Sequence, residues 1–177
     1  MKSARKPSTL RRRTSSGNVL VECAFTMLPT FAIILMFVDM SLMLFRRSTL
    51  QNAVREGCRY AVTFQKKAGL NQDASIGAVV QQFATNFVTT TDSTQHIFVN
   101  YYAPNNLNTP IAAPGGNVPG NVVEVSVQNV AFDWIAPLSG SYGGAVSTVG
   151  STAKVGVSVY SSDILGGYPA GVVSVAR

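Results

Sequence analysis

Arg11-Arg12-Arg13-Thr14-Ser15-Ser16-Gly17-Asn18-Val19-Leu20-Val21-Glu22 is the stretch on which the reading of this chain turns. Six basic residues and no acidic one precede Gly17, and 27 largely apolar residues follow, from Val19 to Phe45. Within the twenty residues Val19 to Val38 there is one charge, Glu22, and one proline, Pro29. About twenty helical residues cross the ~30 Å hydrocarbon core of a bilayer. Asp39 then falls near the far interface, with Arg46 and Arg47 beyond it. Six cations before the segment against two after it predict a cytoplasmic N-terminus and an exported C-terminal part. A cleaved secretory signal has a shorter apolar core of ~7–15 residues and a small-residue cleavage site. This segment is longer and leads into Phe45-Arg46-Arg47. A lipoprotein signal is not expected either, because Cys23 follows Val21-Glu22 rather than small apolar residues.

Glu22 is the anomaly. An ionised carboxylate inside an apolar span costs roughly 2.5–3.5 kcal/mol near the helix centre and less toward the interface. A plain anchor gives it no role, whereas a cationic group of a neighbouring subunit would offset the cost.

Apolar residues make up 46% of the 177 and charged residues 12%. The formal charge of +6 belongs wholly to Lys2, Arg5, Lys6, Arg11, Arg12 and Arg13, because the remaining 8 Lys/Arg (14 − 6) meet 8 Asp/Glu. A nucleic-acid-binding domain would spread its cations over an exposed face, so no nucleic-acid partner is expected. The two cysteines, Cys23 and Cys58, are 35 residues apart. On one continuous helix that is about 50 Å, whereas a disulfide needs Cα atoms within about 7 Å.

The apolar segment continues without a breaker into a polar helix that is expected to end near Lys67, with Lys66-Lys67 in the last turn and Gly69 as the left-handed cap. Leu50, Val54, Gly57, Ala61 and Phe64 recur at spacings of four and three, which marks one packing stripe, against the chain's own domain or against neighbouring subunits. Arg55 and Arg59 share another face. Pro29 predicts a helix kink. Asn71 or Asp73 is suited to cap a second helix with a stripe of Ile76, Val80, Phe83 and Phe87, ending at Thr89-Thr90-Thr91-Asp92. Ile97 to Tyr101 reads as a strand. Asn105 to Gly120 reads as a loop. Val122 to Val130 alternates, with Val123, Val125, Val127 and Asn129 on one side. Phe132 to Leu138 interrupts it, and Ala145 to Tyr160 predicts one or two further strands. The expected fold is α+β: a basic leader (1–17), a transmembrane and extended amphipathic helix (18–68), and a small exported domain (69–177) with one helix and an antiparallel sheet.

Chemistry is sparse. His96 is the one histidine, and two distant cysteines do not complete a metal site with it. No Gly-x-Ser-x-Gly elbow or phosphate loop occurs. Glu124 and Asp133 read as solvated strand and turn carboxylates, and Trp134, Tyr142 and Tyr160 as packing aromatics. No enzyme activity, cofactor or metal is expected.

Gly17 with Glu22 five residues on, Val21-Glu22-Cys23-Ala24-Phe25, Pro29, and Leu50-Gln51-Asn52-Ala53-Val54-Arg55-Glu56-Gly57-Cys58-Arg59-Tyr60-Ala61 together resemble the TadE-like family of the tight-adherence (Tad, or Flp) pilus system. The resemblance covers about residues 12–64 and departs from the family pattern at Cys23 and Asn18. It implies cutting between Gly17 and Asn18 by a prepilin peptidase and an assembly role for Glu22. It also implies other pilins or pseudopilins, the pilus assembly machinery and inner-membrane lipid as partners. The implied place is the bacterial inner membrane, single-pass, with a periplasmic C-terminal domain. The implied protein is a minor pilin, pseudopilin or assembly factor acting in pilus biogenesis, adhesion or secretion. The alternative is an unprocessed, signal-anchored periplasmic binding protein, which leaves Glu22 without a role.

Overall fold

A computed structural model describes residues 16–88, 96–132 and 155–177. Helix α1 spans Ser16–Val62 and helix α2 Gln72–Phe83, followed by strands β1 (Ile97–Tyr102), β2 (Val122–Phe132) and β3 (Val155–Ile164). The strands form an antiparallel sheet in the order β1-β2-β3. The fold is α+β: a long apolar helix, a second helix and a three-stranded antiparallel sheet among the described residues.

The 47 residues of α1 make a rod of ~70 Å. Its two halves meet different surroundings. From Val19 to Phe37 the side chains are largely exposed, whereas Leu50, Ala53, Val54, Cys58 and Ala61 are buried against the sheet and α2. The helix ends five residues before the expected Lys67. Thr63 N–H and Phe64 N–H donate to the carbonyls of Tyr60 and Ala61, three residues back, which tightens the last turn. Phe64 then takes a left-handed φ of 51°, an arrangement expected of Gly69 instead. Packing offsets the strain: the Phe64 ring lies 4.6 Å from that of Tyr168. Gly69 is left-handed too (φ 80°), but in the turn closed by Leu70 N–H to the Lys67 carbonyl.

Asn71 caps α2, its side chain accepting from Ala74 N–H. The helix stops at Phe83, short of the expected Thr89-Thr91, because Thr85 and Asn86 adopt left-handed backbone (φ 51° and 63°). This changes the stripe as well. Gln72, Ser75, Ile76, Val79 and Val80 are its buried residues, and Phe83 is exposed. Phe87, beyond the helix end, packs edge-on to Phe45 with ring centroids 6.1 Å apart.

Helix α2 runs antiparallel to the upper part of α1. Gln72 Nε2 at its start donates to the Ala61 carbonyl, Val80 lies at Gly57, and Phe87 reaches Phe45. A Cβ on Gly57 would overlap Val80 Cγ2 and stand 3.5 Å from Val125 Cγ1. The helix therefore keeps glycine where α1, α2 and β2 converge, even though alanine favours a helix by about 1 kcal/mol.

In β2, Val123, Val125 and Val127 face the core, and all three are fully buried. The alternation then breaks. A bulge lies between Val127 and Val130 in the pairing with β3, and Asn129 is left-handed (φ 56°). The extra residue returns Val130 to the core and turns Asn129 to solvent, so Asn129 does not share the face of the three valines. Strand β3 covers the end of the Ala145–Tyr160 region; Asp133, Trp134, Tyr142 and the stretch 145–154 lie outside the described residues.

Arg177 ties the domain together. Its Nε donates to Asp73 Oδ2 at 2.8 Å and its Nη1 to the carbonyls of Ile111 and Gly115. The guanidinium also lies 4.6 Å from the Tyr101 ring centroid, and its side chain is 9% exposed. Gly116 allows this approach: a Cβ there would be 2.8 Å from Tyr101 Cβ, at a φ of 101°. A second buried set joins the same elements. Asn117 Nδ2 donates to Gln72 Oε1 and to the Val175 carbonyl, while Gln72 N–H donates to the Ala176 carbonyl.

Two outcomes are expected. Gly57→Leu should lower stability by about 1–3 kcal/mol through overpacking, and the midpoint of thermal unfolding of the full chain in detergent micelles should fall; exposed Gln65→Leu serves as the silent control. Arg177→Gln should cost about 2 kcal/mol by removing charged hydrogen bonds from Asp73 and two carbonyls. An unchanged midpoint for Arg177→Gln would show that Asp73 and the 111–115 loop find equivalent partners.

Candidate functional site

The first turns of α1 carry the residues singled out from the sequence. Gly17 and Asn18 lie just inside the helix start, both exposed, and nothing approaches the place of a Gly17 Cβ within 4 Å. Glu22 is exposed one turn further on. Thr26 Oγ1 donates to the carbonyls of Glu22 and Cys23, and Thr30 Oγ1 to the carbonyl of Thr26. These threonines flank Pro29, which lies inside α1, and the helix continues through it. The proline withdraws one backbone donor, and the threonine hydroxyls spend their own polarity on neighbouring carbonyls, so the segment stays apolar outside.

Among the described residues, no part of the rest of the chain covers this half. α1 contains a span long and apolar enough to cross a membrane, and none of that span is buried. Phe25 is 80% exposed and Leu28 72%. A helix that is apolar on every side and uncovered by the described residues of its chain is suited to lipid or to other apolar helices. It fits a single-pass membrane anchor.

The structure separates the predicted residues into two groups. Gly17, Asn18, Glu22 and Pro29 stand on the uncovered half. Leu50, Val54, Gly57, Ala61 and Phe64 are all buried in the folded domain, the nearest of them 28 residues from Glu22, or ~42 Å along the helix. The stripe thus meets its own domain. The outward face of the same stretch carries Arg55 and Arg59, with Arg59 paired to Glu56 at 3.3 Å.

The remaining chemistry is structural in character. Cys58 Sγ donates to the Ser161 carbonyl, and burial pushes its thiol up from the ordinary range, which leaves it a poor nucleophile at neutral pH. Tyr101 donates to Asp73 Oδ1 at 2.9 Å; burial, then the Asp73 carboxylate, pushes the phenol up, so it stays a protonated donor. His96 Nδ1 lies 2.8 Å from the Gln128 carbonyl. Among the described residues no three His, Cys, Asp or Glu side chains gather as a metal site. A groove of about 440 Å³ opens between α2 and β1, lined by Asp73, Gly77, Gln81 and Asn100 among others, but its one carboxylate is already taken by Tyr101 and Arg177.

Sequence reasoning set Asp39 near the far interface without anticipating that it is fully buried on α1, and it missed the Asp73–Tyr101–Arg177 set. Periodicity gives no signal for a contact 104 residues apart. No curated protein and no solved structure matches the chain. A family model does, over the uncovered half of α1 and most of the buried stripe: residues 17–59 of this chain match the family described as TadE-like protein.

Proposed function

We propose that this chain is a minor pilin or pseudopilin, or an assembly factor, of a Tad (type IVc, Flp-type) pilus. It would be anchored in the bacterial inner membrane and act in pilus biogenesis, adhesion or secretion through contacts with other subunits. The TadE-like match suggests a protein associated with such a pilus. The observation that carries the finer reading is Glu22, an exposed carboxylate in an otherwise apolar helical span, five residues past Gly17. In this reading a prepilin peptidase cuts after Gly17, on the cytoplasmic side. The new amine at Asn18 of one subunit then compensates Glu22 of its neighbour, which offsets the cost of the charge in an apolar bundle. The folded domain, held rigidly to the anchor by the buried stripe, is carried on the periplasmic face. An unprocessed anchored binding protein would share the helix and the domain but give Glu22 nothing to do.

Mass spectrometry of the membrane fraction should show a chain beginning at Asn18, and Gly17→Ala should block the cut. A mature species that retains Lys2 would remove the processing step. Glu22→Gln should leave the protein cut and membrane-bound while pilus number falls; full piliation from that variant favours the anchored binding protein instead.

Topology is tested separately. The six basic residues before the span against Arg46 and Arg47 after it predict export of the domain. Alkaline phosphatase fused after Arg177 should be active. Activity only from a cytoplasmic reporter at that site would invert the orientation.

A further inference from the structure

The end of α2 and the polar edge of the apolar span meet at one corner of the molecule. Met40, Leu42, Leu44 and Phe45 continue the exposed apolar surface of α1 beyond Val38. Phe45 is 58% exposed although it touches Phe87. The Arg46 guanidinium lies 5.0 Å from the Phe87 ring centroid, Arg47 is exposed, and Phe83, the last residue of α2, is 42% exposed. Helix α2 runs antiparallel to α1, so Phe83 and Phe87 sit at the end of the folded domain nearest the apolar half. Among the described residues, three aromatic rings, the exposed Arg47 and the half-buried Arg46 thus lie where the span ends.

We propose that this corner seats the folded domain on the phospholipid headgroup layer of the membrane that α1 crosses. The inference rests on reading α1 as a membrane anchor, and the surface is continuous with that anchor. Phe45 is seven residues, or ~10 Å, past Val38. Each headgroup layer adds roughly 5–7 Å to the ~30 Å hydrocarbon core. Side chains of a helix lean toward its N-terminus, so Arg46 and Arg47 lean back toward the lipid. Long cationic side chains reach to the phosphates there, and aromatic rings favour the same depth. The charge selects the occupant: the exposed Arg47 beside an aromatic surface suits anionic phospholipid, at roughly fivefold in affinity for one cation near an anionic surface. The seat would fix the tilt of the domain while the subunit is in the bilayer, and it would be given up when the helix leaves lipid for a fibre.

The test uses the full chain in nanodiscs of phosphatidylcholine and phosphatidylglycerol that contain a lipid with a gadolinium chelate on its headgroup. Amide signals of Arg46, Arg47 and Phe83 to Phe87 should broaden strongly. Those of Gly69 and Gly120, at the opposite end of the domain, should stay sharp. Exchanging phosphatidylglycerol for phosphatidylcholine should weaken the broadening, and so should Phe83→Ser combined with Arg47→Gln, two exposed changes that leave the core valine signals in place. If Met40 and Ser41 broaden while Phe83 to Phe87 stay as sharp as Gly69, the domain stands off the bilayer and the inference fails with the anchor intact. If a label in the lipid tails leaves Phe25 to Ile34 sharp, α1 does not cross the disc and the anchor falls together with the seat.

Discussion

Everything in this molecule depends on the approach of two helices and a strand at Gly57. Helix α1 has to serve as an apolar rod over its first half and as a core element over its second. The second role needs a buried face on a helix whose sequence hardly changes in propensity along its length. Gly57 provides it by letting Val80 of α2 and Val125 of β2 close on the α1 backbone. Leu50 and Val54 below, and Ala61 and Phe64 above, then complete one continuous core with the valines of β2 and β3. Because α1 is one continuous helix, a force or tilt applied to the apolar half reaches the domain with no loop to absorb it.

Polar groups in the interior are handled by mutual satisfaction. Among the described residues, no buried side-chain nitrogen or oxygen lacks a hydrogen-bond partner. Gln72, Asn117 and Ser75 occupy the junction where α1 ends, α2 begins and the C-terminal segment returns. They bond to main-chain groups of those elements. An apolar replacement would keep the volume but leave carbonyls such as those of Ala61 and Val175 short of a donor, and unpaired buried groups cost about 1–3 kcal/mol each. The small core is therefore supplemented by directional contacts at its rim.

The local elements could be read from the sequence, and the contacts between distant ones could not. The α1 stripe, the Asn71 cap and the alternation of β2 each follow from rules spanning a few residues. Helix ends were less legible, because Phe64, Thr85 and Asn86 adopt left-handed backbone that side-chain type alone does not announce. The bulge near Asn129 exists only in relation to β3, and Arg177 finds Asp73 only after the chain has folded back on itself. At the candidate site the pattern of Gly17, Glu22 and the apolar run was fully visible, since its meaning lies in spacing and charge rather than in tertiary contact.

Arg177 and its acceptors also bear on the order of folding. Asp73 leaves the ribosome well before Arg177 does, and the hydrogen bond between them spans 104 residues. Closing so long a loop is slow compared with winding α2 or pairing β1 with β2. Docking α1 on β3 closes loops of the same length, as the hydrogen bonds from Gln51 to Tyr160 and from Cys58 to Ser161 show, so the guanidinium belongs with the non-local contacts that complete the fold after the local elements have formed. It works as a bolt, and the 111–115 loop and the start of α2 become rigid together when it engages.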